Sequence, residues 1–169
     1  MKTLKFIPMI ILAIAALSCD DDDTISEPPP TIDLEATSID FSLANQDDFV
    51  ADATILGTIT NTQDDFVSGS GQQAILLYER SLGTPTGNPG VEVARVNFTT
   101  LGAGETLTIS YTRTWNASSP AEGEFPPDYR ILISYDPDLL IDGNDDNDDD
   151  NVSNDELTRS GQGINQLFN

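Results

Sequence analysis

Eight aspartates fall between Asp136 and Asp150, interleaved with Asn144, Asn147 and Gly143, and no other stretch of the chain offers oxygen ligands so densely. Hard cations such as Ca²⁺ take about six to eight oxygens, and flexible loops rich in Asp and Asn supply them well. Gly143 permits the sharp turn that would wrap side chains around an ion. The residues expected to face that ion are Asp136, Asp138, Asp142, Asn144, Asp146 and Asp148. The register is not that of an EF-hand, because counting from Asp138 puts Leu140 where Asp or Asn is required. The competing reading is a solvated acidic loop, the usual fate of a block of like charge. Ca²⁺ is the one cofactor that the sequence leaves open.

Other chemistry is tightly bounded. The chain has no histidine and a single cysteine, which excludes Ser-His-Asp and Cys-His sites and any histidine-ligated zinc or iron. Glu105, Glu122, Glu124 and Asp128 are carboxylates that in principle could pair as acid and base. A glycosidase, however, holds two of them about 5–10 Å apart in a cleft, and a small sandwich offers little wall for one. Surface solubility is the role expected of these four, and no enzymatic activity is expected. Trp115, Phe125 and Tyr129 are the candidates for a sugar-stacking platform, weighed against ordinary core or rim packing. A formal charge of −22 repels phosphates, so nucleic-acid binding is excluded as a function.

The N-terminus says where the chain resides. Lys2 and Lys5 precede an apolar run from Phe6 to Leu17, and Ala16 and Ser18 are small residues just before Cys19. That is the layout of an export signal over residues 1–18. The run is shorter than the roughly 20 residues of a spanning helix, and Pro8 interrupts it. A lone cysteine at the end of such a signal resembles a bacterial lipoprotein, with Ala16 where Leu is usual, a looser form similar to those of Bacteroidota. The resemblance implies lipidation (palmitate included) at Cys19, an anchor in the outer membrane, and a membrane partner reached only through lipid. Asp20, Asp21, Asp22 and Asp23 resemble that phylum's surface-export signal, and Asp23-Thr24-Ile25 resembles its O-glycosylation acceptor. The expected location is therefore the outer membrane, with the domain exposed at the cell surface. With the signal removed, five arginines face all 29 acidic residues and no disulfide is available. Stability must come from one apolar core.

Residues 19–30 combine aspartates with Glu27-Pro28-Pro29-Pro30 and read as an extended, acidic and Pro-rich tether. From Thr31 the chain alternates with period 2 and offers no convincing helix. Between Thr106 and Trp115, Leu107, Ile109, Tyr111, Arg113 and Trp115 alternate with Thr or Ser, the pattern of a half-buried antiparallel strand. Arg113 interrupts the apolar phase and is expected at the rim, its stem packed and its head wet. Further strands are expected at Ala53–Asn61, Ala74–Glu79, Val91–Leu101 and Tyr129–Tyr135. At the front, Ile32, Leu34 and Ala36 share one phase while Ile39, Phe41 and Leu43 share the other. The flip at Thr37-Ser38 predicts a bulge or a strand that changes sheets. About seven short strands with Gly- and Pro-rich turns argue for an all-β, immunoglobulin-like antiparallel sandwich over residues 31–169, with 136–151 as its acidic loop.

Four pieces in order resemble the cell-adhesion-related domain found in bacteria (CARDB). They are Leu56-Gly57-Thr58-Ile59-Thr60-Asn61-Thr62, Ile75-Leu76-Leu77-Tyr78-Glu79, Leu101-Gly102-Ala103-Gly104-Glu105-Thr106, and Tyr129 to Asp136 with its acidic turn. Gln63-Asp64-Asp65 departs from the family's usual Gly, and Gly83 to Gly90 reads as an inserted loop. The resemblance implies an immunoglobulin-like sandwich used in adhesion, binding or spacing, without catalysis and without a named protein or glycan ligand. The alternative is an accessory carbohydrate-binding lipoprotein of an outer-membrane uptake system.

Overall fold

The computed structural model describes residues 28–168, so Cys19, the cluster Asp20 to Asp23 and the signal segment lie outside the described residues. Among the described residues no helix is long and apolar enough to cross a membrane. The alternating segments form β1 (Leu34–Asp47), β2 (Val50–Asn61), β3 (Phe66–Val67), β4 (Gln73–Arg80), β5 (Val91–Asn97), β6 (Thr100–Leu101), β7 (Thr106–Asn116), β8 (Asp128–Tyr135) and β9 (Glu156–Ser160). Two antiparallel sheets, ordered β1-β2-β7 and β5-β4-β8-β9, face each other as an immunoglobulin-like sandwich, with β3 and β6 as a separate short pair. The expected all-β class holds. A short α-helical turn that the sequence did not announce, α1 (Gln162–Asn165), follows β9 and buries Ile164.

Period-2 patterning places the core where it was read. Ala53, Ile55 and Ile59 of β2 meet Ile75 and Leu77 of β4 and Tyr129, Ile131 and Ile133 of β8, all buried. On β7 the threonines turn outward, and the Thr54 and Thr112 hydroxyls lie 2.8 Å apart across the strand pair. Gly57 marks a close approach of the two sheets: a Cβ there would lie 2.6 Å from Ile131 Cδ1. The phase flip in β1 is a bulge, since its register on β2 slips between Ala36 and Ser38. The segment Val91 to Leu101 is not one strand. It breaks at Phe98, whose ring turns inward against Phe66 at a centroid distance of 5.5 Å, and β5 stays largely exposed because it is a sheet edge.

Strand pairing defines the two ends of the sandwich. Arg80 pairs with Asp128 at one end and Gln73 with Tyr135 at the other. Loops 81–90 and 117–127 lie at the first end. The incoming chain and loops 62–72 and 136–155 lie at the second. Asn61 ties that second end together: its buried amide donates to the Asp64 and Leu101 carbonyls at 2.6 and 2.7 Å and accepts from the Gln63 N–H.

Candidate functional site

Arg113 is the polar residue in an apolar strand, and the fold explains its place. At the end of β7 its guanidinium lies 5.5 Å from the Trp115 ring centroid and against the opposite sheet. One Nη donates to both Glu79 carboxylate oxygens at 2.8 and 2.9 Å, and the other donates to Glu122 Oε1 at 2.6 Å. The expectation of a water-facing head is therefore corrected. Two anions from β4 and the 117–127 loop hold it, because a half-buried cation needs paired charge. Burial works against the charge of Arg113, but Glu79 and Glu122 outweigh it and its pKa is raised.

The same carboxylate of Glu79 accepts from the Tyr129 hydroxyl at 3.0 Å. Burial first, then Glu79, pushes the Tyr129 phenol up, so it stays a neutral donor. Glu122 is fixed locally. A single turn of π-helix, Pro120–Glu124, is capped by Ser119, which bonds both the Glu122 backbone and its carboxylate. Trp115 Nε1 donates to Asn165 Oδ1 at 2.8 Å, and the Asn165 amide donates to the Glu122 carbonyl at 2.7 Å, so α1 braces the loop.

Above this network opens a cleft of about 340 Å³ lined by Glu79, Leu82, Arg113, Glu122 and Phe125, among others. Phe125 is 53% exposed and Leu82 74% exposed at its walls. Of the three aromatics considered for sugar stacking, only Phe125 presents a face. Trp115 and Tyr129 are fully buried, which corrects their candidacy. Nor do the four candidate carboxylates converge. Glu105 is at the far end, where it accepts from the Gly102 N–H, and Glu122 is committed to Arg113.

The acidic loop at the opposite end is ordered by local hydrogen bonds. Asp136, Asp142 and Asn144 each accept from the backbone N–H two residues on, at 3.0, 2.8 and 3.2 Å, which is how Asx residues build turns. Gly143 sits at φ 79°, as its expected turn requires. Asp142 also accepts from Asn147 and Gln72 at 2.9 and 3.0 Å, and Asn147 first, then the Asn144 N–H and Gln72, lower its pKa. Asn144 Nδ2 reaches the Val67 carbonyl at 2.9 Å. Asp138 precedes a 3₁₀ turn without a side-chain capping bond, Asp146 lies inside another, and one Asp148 oxygen is buried without a partner. Burial, then Asp145, Asp142 and Asp150, raises the Asp148 pKa. The six residues thus line a chain of successive turns, and among the described residues no three acidic or soft side chains converge to hold a metal ion.

Sequence reasoning missed two groupings. The Glu79–Arg113–Glu122 network was signalled only by the break in the β7 pattern, and its partners come from other elements. The second grouping joins Asp33, Asp149 and Asp155 around Tyr135, residues distant in sequence or assigned to a strand face.

No family model matches the chain and no curated protein matches it. Among solved structures, 61% of the chain is similar to 11% of a β-glucuronidase of glycoside hydrolase family 2, at TM-score 0.33 and 14% identity. In another case, 76% of the chain is similar to 14% of a β-glucosidase from Paenibacillus barengoltzii, at TM-score 0.30 and 14% identity. The chain spans a small part of both enzymes, and likenesses this slight carry no weight for function.

Proposed function

We propose that the chain is a non-catalytic bacterial surface lipoprotein whose immunoglobulin-like domain acts in adhesion, binding or spacing at the cell envelope. In this reading lipid on Cys19 anchors it in the outer membrane, and the acidic, Pro-rich stretch 19–30 holds the domain away from the bilayer. The observation that carries it is the polarity of the sandwich. The chain comes in at the acidic-loop end, where Thr31 N–H donates to Asp64 and Ile32 bridges to Asp149. The cleft above Arg113 lies at the opposite end, the end a tethered domain would present outward. Labelling with a palmitate analogue should mark the wild type and not Cys19→Ala. Protease added to intact cells should degrade the wild type but spare a variant with alanine at Asp20 to Asp23. Equal labelling, or equal cleavage, defeats the respective step.

The exposed Phe125 favours the alternative of an accessory carbohydrate-binding lipoprotein beside an uptake system. A sugar ring can stack on one aromatic face while polar groups beneath it fix its orientation. Glycan-array binding lost in Phe125→Ser supports this alternative. Cell attachment lost on deletion of the chain, with no glycan binding, supports adhesion.

A further inference from the structure

At the tether end three aspartates, Asp33, Asp149 and Asp155, lie within electrostatic reach of one another. Asp149 Oδ2 accepts from the Tyr135 hydroxyl at 2.8 Å and from the Leu34 N–H at 3.0 Å. Asp33 accepts from Asn154 Nδ2 at 2.9 Å and from the Thr62 hydroxyl at 2.8 Å. Asp155, only 6% exposed, is packed within electrostatic reach of both and beside Tyr135. Its Oδ1 is fully buried with no hydrogen-bond partner. None of the ion pairs among the described residues reaches this cluster. A buried oxygen with no donor and like-charged neighbours favours the neutral acid, which spares the cost of a buried unpaired charge.

The cluster sits on a seam. The chain leading into β1 and the loop leading into β9 are joined by Asp150 N–H to the Ile32 carbonyl at 2.9 Å and Ala36 N–H to the Asn154 carbonyl at 3.0 Å. Asp33 and Leu34 lie on one side of that seam, Asp149, Asn154 and Asp155 on the other, and Tyr135 of β8 beneath. We propose that this cluster is a proton-operated latch, in which neutral Asp155 fastens the 149–155 loop to the incoming chain and its ionisation loosens the seam where the domain meets its tether.

The direction follows from linkage. Burial first, then Asp149 and Asp33, pushes the Asp155 carboxyl up to about 7, with Tyr135 pulling it slightly back. Once the seam opens, the carboxyl returns to its ordinary value of about 3.9. A group with a raised folded pKa contributes its stability fully below the open-state value and loses it as pH rises through the folded one. The latch therefore weakens between about pH 4 and 7 and changes little above that.

Hydrogen exchange on the full chain in detergent, corrected for intrinsic rates, tests this. Protection of segments 32–36 and 149–154 should fall by up to about tenfold per pH unit between pH 4 and 7 and then level off, while β2 and β7 stay protected. Asp155→Asn should flatten that profile. Should this variant not fold, Asp33→Asn removes one like charge and should move the midpoint to lower pH. Profiles identical in wild type and Asp155→Asn, or in wild type and a folded Asp33→Asn, would overturn the latch. So would loss spread evenly over the sandwich, or restoration of protection at pH 8 by Ca²⁺, which would make a cation the switching species.

Discussion

The two ends of β8 carry the same pair of groups in opposite electrostatic settings. Tyr129 donates to Glu79 at one end and Tyr135 donates to Asp149 at the other, at 3.0 and 2.8 Å. At the cleft end the guanidinium of Arg113 bridges two carboxylates, one positive charge set between two negative ones. At the acidic-loop end Asp33 and Asp155 lie within electrostatic reach, and none of the ion pairs among the described residues includes them. The difference teaches what a chain with so few cations does with buried acids: it spends an arginine where two anions must stay rigid and relies on a proton elsewhere. Each end sets a tyrosine hydroxyl on a carboxylate, but at the cleft end an arginine completes the network, whereas at the other the buried Asp155 Oδ1 has no partner and its neighbours are acidic.

The sharpest way to break the comparison is Arg113→Met. It leaves Glu79 and Glu122 half-buried without a cation, and a cost of about 3 kcal/mol is expected, at the low end for a broken buried pair because both keep some water contact. Equilibrium urea unfolding measures it, and a change under about 0.5 kcal/mol would mean the network is only a surface feature. Next in size is a pH effect at the other end. Asp155→Asn should raise stability at pH 8 by about 1–3 kcal/mol and have little effect at pH 4. Urea midpoints at the two pH values check this, and a change of equal size at both would remove the titrating role.

Glu79→Gln keeps a neutral acceptor for Tyr129 and weakens the pairing with Arg113. A loss of about 1–2 kcal/mol is expected, with no new pH dependence between pH 5 and 8. The smallest effect concerns the acidic run. With its side chains spent on turns, melting temperatures should rise equally in Ca²⁺ and Mg²⁺ at matched ionic strength. A larger rise in Ca²⁺, erased by Asp142→Ala with Asp146→Ala, would mean that the loop regroups into the cation site its density of Asp and Asn suggested.

The sequence itself carried the sandwich, the inward faces of β2, β7 and β8, and the bulge at Thr37–Ser38. Period-2 alternation is local, and a one-residue slip flips every side chain to the other face. It also flagged Arg113 as out of place and Gly143 as a turn. Only the tertiary structure decided that Trp115 and Tyr129 are core while Phe125 is exposed, since two packed sheets and α1 cover the first two and a loop carries the third. Only it joined Glu79 to Glu122 through Arg113 and brought Asp33 within electrostatic reach of Asp155. Alternation states which way a side chain points along its own strand, but the partner it meets lies on another sheet, and chain topology alone sets that meeting.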